Sequence, residues 1–423
     1  MGQGMGQEQV EGSGERSDAR SSPGRKAMGL IFLTVLIDLI GFGLIIPALP
    51  TYAQELKADE QTVGLLIASY SLMQLIFMPV WGRLSDRVGR KPILLVSLFF
   101  SAAGYLVWGL SNSLAMLFVA RMVAGFGNAN IAVAQAYMTD VTTSENRARG
   151  MGLIGAAFGL GFVLGPALGA GLAAMGMGLK VVGFVAFGFS LIALVLTALI
   201  LPEPEPGKRS DAGQSRFGMG PSFYLKTLAN KDLRVSFAIF LVSTFAFANM
   251  EATIVLLTNE AFHFSHMDNM LMFLYIGLLM VVVQGRLIHG LNKRFGEKKL
   301  IVAGCALIAC GLLLTPVTRS VPVLYSALFL LALGTGINTP ANQSLISKLA
   351  PVDSVGGVMG VGQSLATLGR ILGPCFGGFA FQHWGFSSPY NVGAATMVLA
   401  VVLGLCLPQS PVTDAKTRVG AAG

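Results

Sequence analysis

Charged side chains within long apolar stretches are the residues of this sequence most suited to chemistry. Asp38 lies in the middle of the run IFLTVLIDLIGFGLIIPALP (31–50), and Arg121, Glu251 and Arg370 lie within later apolar runs. A charged side chain at the centre of a bilayer costs about 2.5–3.5 kcal/mol on insertion scales, and such residues usually face a partner or a water-filled path. All four are therefore candidate functional residues.

The two carboxylates are suited to proton exchange. Shielding from water favours the neutral form of a carboxyl group, so proton uptake and loss can be linked to which side of a membrane is open. We predict that Asp38, which shares a helix face with Gly41 and Ile45, couples to protons or contacts substrate; the alternative is a structural carboxylate bonded to a neighbouring helix. Glu251 is predicted to carry a second proton or bind a cationic group, the alternative being a polar residue near the outer mouth.

The two arginines stay charged and need anionic or carbonyl partners. For Arg121 the simplest alternative to a functional role is a static buried ion pair. Arg370 is predicted to pair with Glu251 or to line a route for anions, unless it lies at a contact between helices.

Composition places these residues in a membrane. The chain has 423 residues, of which 53% are hydrophobic and 12% charged, and its mean hydropathy is +0.68. Soluble domains usually carry about 25% charged residues. The four cysteines lie in apolar segments without the spacing of metal ligands, so no metal site is predicted.

Twelve apolar runs near the 20 or so residues needed to span a bilayer recur along the chain. We predict an all-α membrane protein with a disordered cytoplasmic tail (1–27), an N-terminal six-helix bundle (28–201), a polar linker (202–233), a C-terminal six-helix bundle (234–408) and a second tail (409–423). The predicted spans are 28–50, 61–81, 92–110, 114–137, 149–174, 180–201, 235–258, 269–289, 299–318, 322–346, 354–381 and 389–408.

The basic residues predict the orientation. Of the 29 Lys and Arg, only Lys57, Lys180 and Arg319 fall in loops on one side of the predicted spans. Cytoplasmic loops are enriched in Lys and Arg, so both termini are predicted to be cytoplasmic. The net charge of +8 is then explained by an anionic lipid leaflet, and no nucleic-acid partner is predicted.

The chain contains an internal repeat with an offset of about 208 residues. DRVGRKPILL (86–95) matches KRFGEKKLIV (293–302), GFGN (125–128) matches GTGI (334–337), and GFVLGPALGAG (161–171) matches GRILGPCFGGF (369–379). Two parallel halves related in this way place a substrate site near the bilayer midplane, between them.

Four motifs together resemble the major facilitator superfamily from about residue 28 to 407. They are GRLSDRVGRK (82–91), RMVAG (121–125), the fifth-span set Gly155, Gly159, Gly165, Pro166 and Gly169, and the first span with Asp38, Gly41, Gly43, Pro47 and Pro50. Within that family the sequence is similar to drug:proton antiporters with twelve spans, above all the tetracycline/proton antiporters and the tetracycline-transporter-like proteins of eukaryotes.

The resemblance implies roles for several residues. Arg121 would assist proton transfer by acting on a nearby carboxylate, for which Asp38 is the candidate. A cytoplasmic gate would lock the two halves together, with Asp86 meeting the start of a helix near 355–357; the alternative is a solvated basic loop. The second copy departs from the first, because Glu297 stands where Arg90 stands. The predicted gate residues are Gly82, Asp86, Arg87, Gly89, Arg90 and Asp140.

The resemblance also bears on the fifth span, and the residue types themselves indicate the pocket. The fifth-span glycines would form a tight seam between the halves; the alternative is ordinary helix packing through small residues. The pocket candidates are polar residues isolated within spans: Gln135, Asn338, Asn342, Gln363 and Arg370.

The predicted function is proton-coupled export of an amphipathic organic compound by alternating access. The alternatives are a proton-linked importer or facilitator of a small metabolite, and a non-transporting receptor or scaffold. No Walker motif and no nucleophile paired with a base occurs in the sequence, so no enzyme activity, catalytic residue or cofactor is predicted. The expected partners are substrate, protons and lipid, and the expected state is a monomer in a bacterial inner membrane.

Overall fold

The computed structural model describes residues 23–127, 130–142, 147–203, 221–351 and 354–408. The first half of the chain folds into helices α1 (Pro23–Glu55), α2 (Glu60–Val88), α3 (Arg90–Leu110), α4 (Leu114–Gly127), α5 (Asn130–Val141), α6 (Arg147–Ala174) and α7 (Leu179–Ile200).

The second half follows the same order after one short helix. Its elements are α8 (Pro221–Ala229), α9 (Lys231–Phe262), α10 (His266–Val282), a π-helical turn (Val283–Leu287), α11 (Ile288–Phe295), α12 (Glu297–Val317), α13 (Val321–Leu349), α14 (Val355–Trp384) and α15 (Ser388–Leu405).

The spans agree with the prediction in number. Eleven stretches of helix in the described chain are long and apolar enough to cross a membrane, with α4 and α5 together forming one of them. The twelfth is α14, which has 30 residues and is less apolar because Gln363 and Arg370 lie within it. The prediction of an all-α protein with twelve spanning helices is confirmed.

The helices differ from the predicted elements in extent. α1 covers Pro23–Glu55 where 28–50 was predicted, because a helix continues its hydrogen-bond ladder past the apolar core of the bilayer. α8 lies inside the segment predicted as linker, where Phe223 packs on a buried cluster that includes Phe237 and Val358. Residues 1–22, 204–220 and 409–423, which hold most of the predicted tails and linker, lie outside the described residues.

The turns between helices define two faces of the membrane domain. We call the face with the α2–α3 and α11–α12 turns the basic face, because Arg87, Arg90, Lys293 and Lys298 lie there, and the face with the α1–α2 turn the opposite face. Gly89 has a φ of +119° in the α2–α3 turn. This region of backbone space favours glycine, which explains why the glycine persists in the repeated loop.

Two helix pairs make the most extensive contacts between the halves in the described chain. α2 packs against α14, and α6 packs against α10. The charged residues singled out in the sequence lie on α14 and on three helices packed against this interface: α1 packs on α6, α4 on α2 and α9 on α14.

Candidate functional site

Asp38 lies inside the N-terminal bundle, with 4% of its surface exposed. The hydroxyl of Ser190 in α7 donates a hydrogen bond to Asp38 Oδ1 over 2.9 Å. Gly41 allows α1 to approach α7 closely: a Cβ atom at this position would stand only 3.3 Å from the carbonyl oxygen of Ala186. The carboxyl group is therefore held within the bundle and does not face lipid.

Arg121 lies over an aromatic ring of the neighbouring helix. Its guanidinium carbon is 4.4 Å from the centre of the Tyr70 ring, an arrangement worth about 2 kcal/mol when desolvated. Gly125, one helical turn later, would place a Cβ atom 2.5 Å from the carbonyl oxygen of Tyr70, so the motif glycine permits this approach. Within the described residues, Arg121 Nε has no hydrogen-bond acceptor.

Tyr105 of α3 lies within electrostatic range of both Asp38 and Arg121. It is buried, and Asp38, Tyr70 and Arg121 all act on it electrostatically. The acid predicted to exchange protons and the arginine predicted to act on it thus lie around the same two tyrosines.

The C-terminal half contributes a second carboxylate, Glu251, and a second guanidinium group, Arg370. Glu251 of α9 is partly exposed and interacts electrostatically with Arg370 first and with Arg121 second. Arg370 of α14 interacts with Glu251 and also with Tyr70. Because Arg121 and Tyr70 belong to the N-terminal half, the charges of the two halves act on each other across the interface. We call Asp38, Tyr70, Arg121, Glu251 and Arg370 the central cluster.

Glycines in α14 position this second pair. A Cβ atom at Gly373 would stand 2.7 Å from the carbonyl oxygen of Phe245 in α9, and one at Gly369 would stand 3.0 Å from the Phe245 nitrogen. Arg370 directly follows Gly369 and donates from Nη2 to Thr367 Oγ1 over 3.0 Å. Close packing of α14 on α9 therefore brings Arg370 near Glu251.

The structure does not bring all the predicted pocket residues to the central cluster. Asn338 is 1% exposed and donates to Ser243 Oγ over 2.8 Å. Asn342 is fully buried and donates to the Ser236 carbonyl over 3.0 Å. Both amides link α13 to α9 within one bundle, because a buried polar side chain must find a partner.

The remaining pocket candidates are accessible. Gln135 of α5 and Gln363 of α14 have exposed side chains, and Gln363 lies on the same helix as Arg370. Their contact with substrate stays a prediction.

The predicted gate residues form a compact group at the basic face. Arg90 pairs with Asp86 at 2.6 Å and with Asp140 at 2.9 Å, so it ties together α2, α3 and α5. Gly82 is buried in α2, whereas Arg87 is exposed. The contact predicted between Asp86 and the helix start near 355–357 stays a prediction.

Glu203 is a member of this group that the sequence did not identify. Its carboxylate accepts hydrogen bonds from the backbone N–H groups of Arg90 at 2.7 Å and Lys91 at 2.8 Å. It therefore caps the start of α3, next to Gly89. The signal was an acid immediately after the sixth span, in LPEPEP (201–206), beside a basic loop; pairing the two required the fold.

The second half carries an equivalent pair with the charges exchanged. Glu297, at the start of α12, pairs with Lys348, at the end of α13. It also accepts hydrogen bonds from Asn292 at 3.2 Å and Ser344 at 3.1 Å. Glu297 occupies the repeat position of Arg90, and Lys348 that of Asp140.

The fifth-span glycines pack α6 on both halves. Cβ atoms at Gly165 and Gly169 would stand 2.6 Å from the Gly43 carbonyl carbon in α1 and 2.6 Å from the Met270 sulfur in α10, respectively. Gly159 also faces α10, through a methyl group of Val281 at 3.0 Å. Gly155 has open space around it. The helix with Pro166 thus lies between its own bundle and the other half, as the predicted seam requires.

Polar groups join the halves at the opposite face. The backbone N–H of Gln61 donates to Gln382 Oε1 over 3.2 Å, and Gln382 Nε2 donates to Asp59 Oδ2 over 3.4 Å. An amide hydrogen bond of 3.1 Å joins Gln54 of α1 to Asn259 of α9. The halves are therefore in contact on the side away from the Arg90 group.

Comparison with known proteins gives one consistent result. A family model described as Major Facilitator Superfamily matches residues 31–292 and 287–422. The tetracycline resistance protein of class H from Pasteurella multocida is 32% identical over 386 residues, which cover 90% of this chain and 95% of that protein. Multidrug resistance protein 1 from Bacillus subtilis is 29% identical, over 89% of this chain and 95% of its own length.

A solved structure agrees with these sequence matches. The crystal structure of the human organic anion transporter MFSD10 (TETRAN) superposes with a TM-score of 0.69 at 26% identity, and covers 91% of this chain and 100% of its own.

Proposed function

Because the chain belongs to the major facilitator superfamily, a family of transporters and not of enzymes, we propose that it is a proton-coupled antiporter that exports an amphipathic organic compound. The observation that carries the proposal is Asp38, a carboxyl group buried in a membrane helix beside Ser190 and near the Arg121–Tyr70 pair. Similarity to tetracycline and multidrug resistance proteins supports export as the direction.

The contacts suggest how access alternates. The halves touch at the opposite face through Gln61, Gln382 and Asp59, so we assign this conformation as closed to the outside, with the basic face in the cytoplasm. In the outward-facing state the Arg90 group would meet the other half and close the inner side. Substrate binds while Asp38 is ionised, and protonation of Asp38 from outside favours release and return.

The proton gradient is sufficient as the energy source without a cofactor. One charge that crosses 100 mV supplies about 2.3 kcal/mol, which corresponds to a concentration ratio of about fifty-fold. We propose that the protein is a monomer in a bacterial inner membrane. Both termini are cytoplasmic, because the basic loops lie on one side.

The test is transport by purified protein in liposomes, with tetracycline as the probe. Tetracycline added outside the liposomes should release protons from their acidified lumen, through the copies of the protein whose cytoplasmic face points outward. Asp38→Asn should abolish this release and retain exchange of tetracycline for tetracycline, because exchange needs no net proton movement. Ser190→Ala, which removes only the hydrogen bond to Asp38, should retain proton coupling.

Three results would contradict the proposal. Full proton coupling in Asp38→Asn would remove Asp38 from the coupling role. Movement of protons in the same direction as the compound would favour an importer. Failure to move tetracycline or a panel of other amphipathic drugs under any gradient would favour a receptor or scaffold.

A further inference from the structure

Glu251 and Arg370 carry opposite charges and lie near each other without forming a direct ion pair. They lie on packed helices and interact electrostatically, yet in the part of the chain that the structure describes no direct ion pair connects them. Both side chains are partly exposed. Arg370 uses one hydrogen bond, to Thr367, although a guanidinium carries five N–H donors.

A structural ion pair in this protein has a different form. Glu297 is 3% exposed, pairs directly with Lys348 and accepts two further hydrogen bonds, from Asn292 and Ser344. Charges removed from water are stable only when their remaining hydrogen-bonding capacity is satisfied in this way. Glu251 and Arg370 keep most of that capacity unused, which is the form expected of groups that bind a ligand.

The surrounding charges define which ligand fits. Arg370 from α14 and Arg121 from α4 are the charged groups that act on Glu251, and Tyr70 from α2 acts on Arg370. With Asp38 and Glu251 ionised, these two acids balance the two arginines. A ligand with a single charge would leave a net charge in a region of low dielectric, which is costly; a zwitterion would leave none.

We propose that Glu251 and Arg370 form a dipolar subsite for a zwitterionic amphipathic substrate. The substrate ammonium group binds the Glu251 carboxylate, and its anionic group binds the spare donors of Arg370. This inference rests on the proposed export function, and it agrees with the opposite movement of protons and substrate. A proton on Glu251 removes the partner of the ammonium group, so protonation of the subsite favours substrate release, in the same direction as protonation of Asp38.

The test measures binding to the purified protein in detergent, without a gradient, using three forms of one compound. Norfloxacin carries a carboxylate and an ammonium group, its N-acetyl derivative keeps only the carboxylate, and its methyl ester keeps only the ammonium group. Norfloxacin should bind about tenfold to hundredfold more tightly than either derivative, since each loses one contact to a charged group.

Two substitutions should show which residue binds which charged group of norfloxacin. Glu251→Gln should weaken binding of norfloxacin and the methyl ester by about tenfold or more and leave the N-acetyl derivative unchanged; Arg370→Gln should show the reverse pattern. The unchanged compound serves as the folding control for each variant. Glu260→Gln, an exposed residue of the same helix as Glu251, should leave all three affinities unchanged.

The inference is overturned if norfloxacin binds no better than its derivatives, if none of the three binds, or if each substitution weakens all three equally. Dependence on Arg370 alone would instead describe a site for anions. Because no gradient is used, the expected binding pattern in a protein that moves no protons would refute only the antiport proposal.

Discussion

Gly165 of α6 lies directly against Gly43 of α1: a Cβ atom at Gly165 would stand 2.6 Å from the Gly43 carbonyl carbon and 2.7 Å from its Cα. Backbone meets backbone here, so neither helix can yield by turning a side chain. The closeness fixes α6 on its own bundle, while Gly159 and Gly169 of the same helix face α10.

Substitution of this glycine should be costly. Gly165→Ala should lower stability by about 1–3 kcal/mol, because an added methyl group in a packed interface forces helices apart. Gly155→Ala is the matched control on the same helix, since nothing lies within 4 Å of a Cβ atom there. Thermal unfolding in detergent measures both, and equal melting temperatures for the two variants would contradict the packing argument.

The Arg90–Asp140 pair should be partly replaceable by the arrangement of the second repeat. Arg90→Glu alone should impair transport strongly, because it places a third acid beside Asp86 and Asp140. Adding Asp140→Lys should recover part of the activity by restoring an opposite pair. Recovery should be incomplete, since Asp86 would still lie beside the new glutamate.

Drug efflux rates of the single and double variants at equal expression check this prediction. The lone substitution Asp140→Lys is the second control, and it should be impaired as well. Additive losses in the double variant would show that the two side chains do not act on each other.

Glu203 should stabilise the start of α3. Glu203→Ala removes the acceptor of the Arg90 and Lys91 backbone N–H groups and should lower stability by about 1–2 kcal/mol, the usual effect of losing a helix cap. Glu203→Gln retains an acceptor oxygen and should lose less. Thermal unfolding of both variants provides the measurement; a larger loss in the glutamine variant would refute the capping role.

Contact at the opposite face should be insensitive to pH in the physiological range. Hydrogen bonds from Thr62, first from its side chain and then from its backbone, lower the pKa of Asp59, and Gln382 adds to the effect. Because the folded-state pKa is depressed, the stabilising contribution is present above the unfolded pKa of about 3.9 and is lost only as the pH falls through the lower folded value.

Asp59→Asn should therefore leave the pH profile of transport between about pH 5.5 and 8 unchanged. Asp38→Asn, measured beside it, should abolish proton-driven transport over the same range. Proton-gradient-driven uptake into inverted vesicles at a series of pH values tests this. A changed profile in the Asp59 variant would place a proton site at the opposite face.

The sequence predicted the membrane fold well because burial in lipid leaves a strong, local signal. Apolar runs mark the spans, and charges such as Asp38 and Arg370 stand out against them. Partners on other helices leave no such signal. In sequence, Asn338 and Asn342 are isolated polar residues that cannot be told from pocket residues. Only the packing of α13 on α9 shows that their amides form hydrogen bonds between helices.

Capping by Glu203 was missed for a related reason. An acidic residue at the end of a span is usually solvated. Glu203 can cap α3 only because α3 begins within hydrogen-bonding distance of it. The extent of α1 was underestimated because hydropathy reports the lipid core and not the helical hydrogen bonds that continue beyond it.

The exchanged charges of Arg90–Asp140 and Glu297–Lys348 bear on the ancestry of the chain. If one duplicated gene gave rise to both bundles, each position began with the same residue in both copies. Reversing the charges of one pair requires two substitutions, and either substitution alone places two like charges next to each other in a partly buried site. The partner helices are then no longer individually interchangeable: a chimera that moves only α12 into the place of α3 would set Glu297 against Asp140, whereas moving α12 together with α13 would keep the Glu297–Lys348 pair.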